Sequence, residues 1–232
     1  MTKNLWDTDQ LNANGETLIG NGSGVPSVST ITSGTNCTVV NGANSIQLTY
    51  TGSSGSSDFE LISSATASSS SSIVFTNLSS SYFTYIIIIT GFIPSTDGDI
   101  LYMRTSTDNG SSYDSGSSDY WIYGYSWASY GIAAKIKTDP GSFMNACGNV
   151  NSPPGNGTNE SSCAFINIHN PSSTNYTRFN QLGCVFDNIS GLAGEMQQPG
   201  RFSAADVDAI QFTCPSSTIA SGEFRLYGLI SS

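Results

Sequence analysis

Residues 82–116, YFTYIIIITGFIPSTDGDILYMRTSTDNGSSYDSG, decide the fold of this chain. The four isoleucines at 86–89 form a β-branched run, which is typical of a central strand buried on both faces of a sheet. Asp97-Gly98 and Asp108-Asn109-Gly110 follow it as tight-turn signals, because Asp, Asn and Gly tolerate the backbone angles that such turns need. The stretch therefore predicts successive β-strands joined by short turns.

The same alternation of strands and turns extends over residues 58–232. We predict strands at residues 59–62, 72–76, 83–92, 100–106, 120–126, 164–169, 183–187, 209–213 and 223–231. No run of twelve residues keeps a helical apolar period without Gly or Pro. The fold class is therefore predicted to be all-β, with a short N-terminal β-stalk element followed by a jelly-roll-like β-sandwich.

The N-terminal quarter of the chain has a different composition. Residues 1–16 are polar and rich in Asn, with Leu5, Trp6 and Leu11 as isolated apolar positions, so we predict a docking segment, with a solvated tail that carries an incidental Trp as the alternative. Residues 17–57 form the predicted stalk and its Gly/Ser linker, and residues 45–50 alternate apolar and polar side chains as a strand does.

The order of motifs in residues 18–49 resembles a β-prism or β-spiral element of bacteriophage tail-fibre shafts. The matching pieces are Ile19-Gly20, Val25-Pro26, Thr32-Ser33-Gly34 and Asn41-Gly42-Ala43. In such fibres the element is a trimerisation device, since short strands of this kind cannot bury their apolar face within one chain. The resemblance implies a homotrimer that works in an assembled virion.

A second resemblance covers most of residues 72–230. The order IVFTNL, then residues 82–116, then Ile210-Gln211-Phe212 and the ending GEFRLYG at 222–228, is similar to a domain of tailed-phage structural proteins. Residues 126–200 match nothing in that domain. The resemblance implies a virion protein that is assembled in the bacterial cytoplasm and contacts a tail baseplate or adaptor, or the major capsid protein.

Charge and composition limit the classes of molecule that we expect this chain to bind. The chain has 232 residues, only 10% of them charged, and a net charge of -10 with no cluster of basic residues. We therefore expect neither nucleic acid nor an anionic membrane as a partner. The first residues lack the apolar core of a signal peptide, and the longest apolar run, residues 85–89, is too short to insert into a bilayer.

Catalytic and metal-binding constellations are not expected. His169 is the only histidine, and no serine lies in a nucleophile motif. We predict no catalytic residues, no metal site and no cofactor. A tailspike enzyme that degrades glycans stays open as the least favoured alternative, because several carboxylates can converge in space: Asp97, Asp99, Asp114, Asp119, Asp187 and Glu195.

The aromatic stretch at residues 120–130 is the sharpest candidate for a binding surface. A period of two places Tyr120 and Ile122 on one face, and Trp121, Tyr123 and Tyr125 on the other. The predicted ligand-binding set, for a glycan or a subunit interface, is Trp121, Tyr123, Tyr125, Trp127 and Tyr130. Packing in the core of the sandwich is the interpretation we favour for these rings.

Five cysteines occur without a CxxC pair, and we expect most of them to be buried thiols. Cys147 and Cys163, which flank the Pro153-Pro154 region, are the one candidate disulfide. Residues 138–162 are rich in Gly, Asn and Pro and are predicted to be a long functional or subunit-contact loop.

The leading hypothesis is a non-enzymatic homotrimeric tail-fibre or adhesin component that binds host-surface polysaccharide. The closest alternative is a capsid decoration, or cement, protein that stabilises the phage head, because the chain is short for a fibre.

Overall fold

The computed structural model describes residues 16–20, 26–34, 37–42, 45–50, 59–128, 133–187 and 191–230. These residues contain β-strands and no helix, so the predicted all-β class is confirmed. Among them there is no helix of the length and apolar character needed to cross a membrane. The chain divides into two compact units, residues 1–57 and 58–232.

The first unit contains two antiparallel hairpins. One pairs β1 (Glu16–Gly20) with β2 (Pro26–Thr30), and the other pairs β3 (Cys37–Gly42) with β4 (Ser45–Tyr50). The strand predicted at residues 45–50 is therefore present. Val40, Ile46 and Leu48 of the second hairpin are exposed, which agrees with strands too short to bury an apolar face alone.

The second unit contains two antiparallel sheets. The large sheet has the order β10-β9-β14-β13-β12-β7-β17-β5, with the short β15 pairing β13 and β9, and the small sheet has the order β11-β8-β16-β6. The strands of the large sheet are β5 (Phe59–Ser70), β7 (Tyr82–Pro94), β9 (Tyr120–Ala128), β10 (Ala133–Gly141), β12 (Ser162–His169), β13 (Arg178–Asp187), β14 (Gly191–Gln197), β15 (Gly200–Arg201) and β17 (Ile219–Ile230). The strands of the small sheet are β6 (Ile73–Phe75), β8 (Leu101–Ser106), β11 (Met144–Cys147) and β16 (Ala209–Thr213).

The core lies between one face of each sheet. Phe212 of the small sheet is fully buried, and its ring centroid lies 5.4 Å from that of Phe224 of the large sheet and 6.4 Å from that of Phe75. Ile87 and Ile89 of β7 are also fully buried in this cluster. The unit is therefore a two-layer β-sandwich; its jelly-roll connectivity stays a prediction.

The four isoleucines at 86–89 lie on an internal strand, as predicted, because β7 pairs with β12 on one side and β17 on the other. Their burial differs between the two faces. Ile87 and Ile89 point into the core, and Ile86 is also buried, but Ile88 is only half-buried on the opposite face. The strand is thus more exposed on that face than a run of isoleucines suggests.

The predicted long loop at residues 138–162 is wrong over its first part. Residues 133–141 form β10, which pairs with β9, and residues 144–147 form β11, which pairs with β8. Four strands of the middle region, β10, β11, β14 and β15, were not predicted. Their sequences, such as AAKIKTDPG and GLAGEMQ, carry Gly, Pro or charge at positions where pairing with neighbouring strands outweighs weak local propensity.

Candidate functional site

The large sheet has an outer face that points away from the small sheet. On β12 the burial alternates, so that Ala164, Ile166 and Ile168 face the core while Cys163 and Phe165 face outward. The same alternation on β9 turns four aromatic side chains outward: Trp121, Tyr123, Tyr125 and Trp127. We call these four the aromatic row.

The aromatic row confirms the predicted alternation and corrects the favoured interpretation of it. Tyr120 and Ile122 are fully buried, whereas Tyr123, Tyr125 and Trp127 are 44%, 50% and 45% exposed. Core packing was therefore the wrong interpretation for the outward rings, because the second sheet covers only the inner face. The fifth predicted residue, Tyr130, lies outside the described residues, as do the docking residues Leu5, Trp6 and Leu11.

A row of apolar side chains crosses the strands next to the aromatic row. Tyr125 of β9 lies opposite Met196 of β14, and Met196 lies opposite Leu182 of β13. Leu182 lies opposite Phe165 of β12, and Phe165 lies opposite Ile88 of β7. Met196, Leu182 and Phe165 are 46%, 55% and 38% exposed. Exposed apolar residues that form a continuous patch mark binding surfaces more often than scattered ones do.

The two tryptophan rings of the aromatic row pack against glycines of the neighbouring strands. A Cβ atom on Gly194 would lie 2.6 Å from Nε1 of Trp127, and one on Gly200 would lie 2.6 Å from Nε1 of Trp121. Each indole therefore lies across the backbone of the neighbouring strand, where a side chain would displace it. Aromatic cover over a sheet glycine stabilises the sheet.

The aromatic row ends in a groove at Trp121. A depression of about 370 Å³ is lined by Trp121, His169, Arg178, Asn180 and Gln198, together with Phe179 and Pro199. A second depression of about 310 Å³ shares His169 and Arg178 with it and adds Tyr176. We call the first depression the Arg178 groove. Sequence analysis missed it because the strand β13 was predicted to begin at residue 183, five residues too late to place Arg178 and Asn180 on a sheet.

Positive charge is concentrated on this half of the outer face. Lys135 and Lys137 of β10 lie opposite Tyr125 and Tyr123, and the Lys137 ammonium is 6.0 Å from the centroid of the Tyr123 ring. Arg178 is exposed at the groove. Among the described side chains of β9, β10, β12, β13 and β14 the single carboxylate is Glu195, which is fully buried on the inner side.

Glu195 belongs to a buried polar network that fixes a loop to the sheet. Its two carboxylate oxygens accept hydrogen bonds from Gly148 N (2.8 Å), Asn149 Nδ2 (2.9 Å), Gln181 Nε2 (2.8 Å) and Gln197 Nε2 (3.2 Å). Burial raises the pKa of Glu195 above its ordinary value, although the hydrogen bonds from these donors oppose the shift. The network explains how the connection after β11 stays ordered without regular structure.

The other carboxylates that we considered for glycan hydrolysis are bound by separate local partners. Asp114 pairs with Arg201 at 2.9 Å, and Asp99 accepts hydrogen bonds from Ser216 N and Ser217 Oγ. Asp119 accepts one from Gly116 N, and Asp97 accepts one from Asn156 N. The side chain of Asp187 lies outside the described atoms. Among the described residues, no group of three or more His, Cys, Asp or Glu side chains is placed to hold a metal ion.

The candidate disulfide between Cys147 and Cys163 is not formed in the structure, where both cysteines are free thiols. Cys147 is buried in the core and donates a weak hydrogen bond to the backbone oxygen of Cys163 at 3.8 Å, while the Cys163 side chain is exposed on the outer face. The neighbour of Cys163 on that face is Cys184, directly opposite on β13. Burial, followed by the proximity of Cys163, raises the pKa of the Cys184 thiol.

Comparison with protein-family models, with curated proteins and with solved structures gives no match to this chain.

Proposed function

We propose that this chain is a non-enzymatic structural protein of a bacteriophage virion, a homotrimeric tail-fibre or adhesin component whose β-sandwich binds host-surface glycan. The aromatic row carries the glycan-binding part of the proposal. Tyr123, Tyr125 and Trp127 are about half exposed, and a ring exposed in this way packs against the apolar face of a sugar. The amide side chains of Asn167 and Asn180 line a depression with the exposed apolar side chains of Phe165, Leu182 and Met196, and amides of this kind suit sugar hydroxyls.

The two sequence resemblances support the virion setting of the proposal. The exposed apolar side chains of the second hairpin further support the homotrimer. Val40, Ile46 and Leu48 of the second hairpin are 52%, 40% and 60% exposed. A two-stranded hairpin with such side chains is marginally stable alone, and packing against the same hairpin of other copies would bury them. Light scattering on the full chain tests this directly, and a monomer at micromolar concentration would contradict the trimer.

The glycan-binding part is tested by measuring the binding of the full chain to a panel of purified bacterial surface polysaccharides. A variant with Tyr123, Tyr125 and Trp127 replaced by Ala is expected to bind at least tenfold more weakly than the unmodified protein, about 1.4 kcal/mol. Phe59→Ala is the matched control, because Phe59 is 50% exposed but lies on β5 at the opposite edge of the sheet. Binding that is unchanged in the triple variant would refute the role of the row.

The alternative of a capsid decoration protein is favoured by a different observation, the continuous apolar row from Tyr125 to Ile88. A patch of this kind suits contact with another protein as well as contact with sugar. Cryo-EM localisation on intact virions separates the two functions. Density or label at the tail favours the adhesin, and density distributed over the head favours the decoration protein.

A further inference from the structure

We infer that the Arg178 groove is a subsite for a carboxylated sugar, with the sugar ring against Trp121 and its carboxylate on the guanidinium of Arg178. The inference rests on the proposed glycan-binding function and adds the chemical class of the ligand, an acidic oligosaccharide. Three observations support it: the register of four strands, the distribution of charge, and the packing around Trp121.

The register brings the indole and the guanidinium together. His169 lies opposite Arg178, Arg178 lies opposite Gly200, and Gly200 lies opposite Trp121, so the four residues form one row across β12, β13, β15 and β9. Gly200 carries no side chain, and the indole of Trp121 extends over it toward the strand that carries Arg178. An aromatic surface and a cation thus border the same depression of about 370 Å³.

The charges of the unit make Arg178 suited to bind an anion. Each of the other described arginines has a partner. Arg201 pairs with Asp114, and Arg225 pairs with Glu223. Arg104 donates a hydrogen bond to the backbone oxygen of Ser142. Arg178 forms no ion pair with any described residue and is exposed. A guanidinium binds a carboxylate through two parallel hydrogen bonds, which gives both strength and orientation.

The field of the whole protein favours this face for an anionic ligand. The chain carries a net charge of -10, so an acidic polysaccharide is repelled by most of the surface. Lys135 and Lys137 extend the positive region along the neighbouring edge strand β10. An acidic chain that leaves the groove along the aromatic row therefore continues past two further cations.

The polar and aromatic neighbours pre-organise the groove. The ring of Trp121 makes an edge contact with Phe202, with 4.7 Å between centroids, and a tilted contact with Tyr176 at 6.1 Å. His169 and Asn180 are joined by a hydrogen bond of 3.0 Å between Nε2 and Nδ2, and the backbone N–H of Gln198 donates to Tyr123 O at 2.7 Å. Side chains already held in place lose little conformational freedom when a ligand binds.

The test compares acidic and neutral probes by isothermal titration of the full chain. The probes are a hexasaccharide of galacturonic acid with its carboxyl-reduced counterpart, and a sialic acid-terminated oligosaccharide with its counterpart lacking the sialic acid. At least one acidic probe is expected to bind tenfold or more tightly than its neutral counterpart, with an affinity that falls as salt is raised. Arg178→Gln is expected to abolish that preference and to leave binding of the neutral probe unchanged.

Arg225→Gln is the control, because Arg225 is an exposed arginine on the same sheet but is paired with Glu223 on the distant strand β17. Equal binding of acidic and neutral probes, an unchanged preference in Arg178→Gln, or no binding of either acidic probe would overturn the acidic subsite. The proposed function fails separately, when no member of the polysaccharide panel binds. Circular dichroism of Arg178→Gln confirms that the variant is folded.

Discussion

The two faces of β9 carry similar side chains in opposite environments. Tyr120 on the inner face is fully buried; its hydroxyl oxygen accepts a hydrogen bond from Thr105 N at 2.8 Å and its O–H donates to Asp114 O at 3.2 Å. Burial raises the pKa of Tyr120 to about 12. Tyr123 and Tyr125, three and five residues later, are about half exposed on the outer face.

Aromatic content by itself therefore does not distinguish a core from a binding surface. Both faces of this sheet are apolar enough to be buried, and the inner face is buried because the four-stranded sheet packs on it. Within residues 58–232, Tyr123, Tyr125 and Trp127 of the outer aromatic row are 44%, 50% and 45% exposed. Exposed aromatic side chains that lie in one row are more typical of a binding surface than of a core.

The largest expected difference between the two faces is in folding stability. Phe212→Ala removes a fully buried ring that contacts Phe75 and Phe224, and we expect it to lower the free energy of unfolding by about 3–5 kcal/mol. Tyr125→Ala on the outer face should change it by no more than about 0.5 kcal/mol. Urea denaturation of both variants measures the two values, and a comparable loss in Tyr125→Ala would mean that the outer face is packed in the free protein.

Cys163 and Cys184 on the outer face are expected to form a disulfide under oxidising conditions. In oxidised glutathione, the Cys163 thiolate is expected to attack the disulfide and release one glutathione thiolate. The Cys184 thiolate then attacks the Cys163 sulfur of the mixed disulfide and releases the second. Cys163 and Cys184 directly oppose one another on the outer face. The cross-strand bond should raise the free energy of unfolding by about 3 kcal/mol, because in the chain-entropy model it closes a loop of roughly twenty residues in the unfolded chain.

Peptide mapping by mass spectrometry identifies the linked pair. Cys163→Ser and Cys184→Ser should each abolish the link, whereas Cys37→Ser, in the other unit, should leave it intact. A product that joins Cys147 to Cys163 would contradict the placement of Cys147 in the core and of Cys163 on the outer face of the large sheet.

Features that depend only on a residue's own strand or turn could be predicted from the sequence. The tight turns at 97–98 and 108–110, the internal strand around the four isoleucines, and the alternation on β9 all follow from local chemistry and a period of two. Asn109, Gly98 and Gly110 do have positive φ, as turn residues of these types can.

Features that depend on pairing between strands distant in the sequence could not be predicted. The Cys163–Cys184 neighbours and the row from His169 to Trp121 depend on the register of β12, β13, β15 and β9, and no local pattern gives that register. The proximity of Cys147 and Cys163 in sequence suggested a disulfide, but their strands direct the two side chains to opposite sides. The exposure of the aromatic row depends in turn on which face the small sheet covers.

The buried carboxylate of Glu195 and the exposed carboxylate of Asp108 are expected to change folding stability with pH in opposite directions. Because burial raises the pKa of Glu195, this residue stabilises the fold most fully when protonated, and that stability is lost as pH rises through its folded pKa. Glu195→Gln keeps the neutral state at every pH, so we expect the stability of the unmodified protein relative to the variant to fall as pH rises from 4. Urea unfolding at pH 4, 5, 6 and 7 measures this, and a relative stability that rises with pH would contradict it.

The smallest expected effect concerns Asp108 in the exposed turn after β8. The side-chain hydroxyl and backbone N–H of Ser112 donate to its carboxylate at 2.6 and 2.8 Å, and Ser106 Oγ donates at 2.7 Å. The hydrogen bond from the Ser112 side chain is the largest cause of a pKa lowered from 3.8 to about 2. The ionised form is therefore favoured in the folded state, and its contribution to stability is present above pH 4 and lost as pH falls toward 2.

Asp108→Asn removes this titration while keeping the size of the side chain. The stability advantage of the unmodified protein over the variant should be constant between pH 5 and 7 and should shrink between pH 4 and 2, the reverse of the trend for Glu195. Urea unfolding of both proteins across this range supplies the comparison. An advantage that stays constant down to pH 2 would show that the hydrogen bonds of Asp108 do not distinguish its ionised from its protonated form. In that case the contrast between the buried and the exposed carboxylate would depend on burial alone.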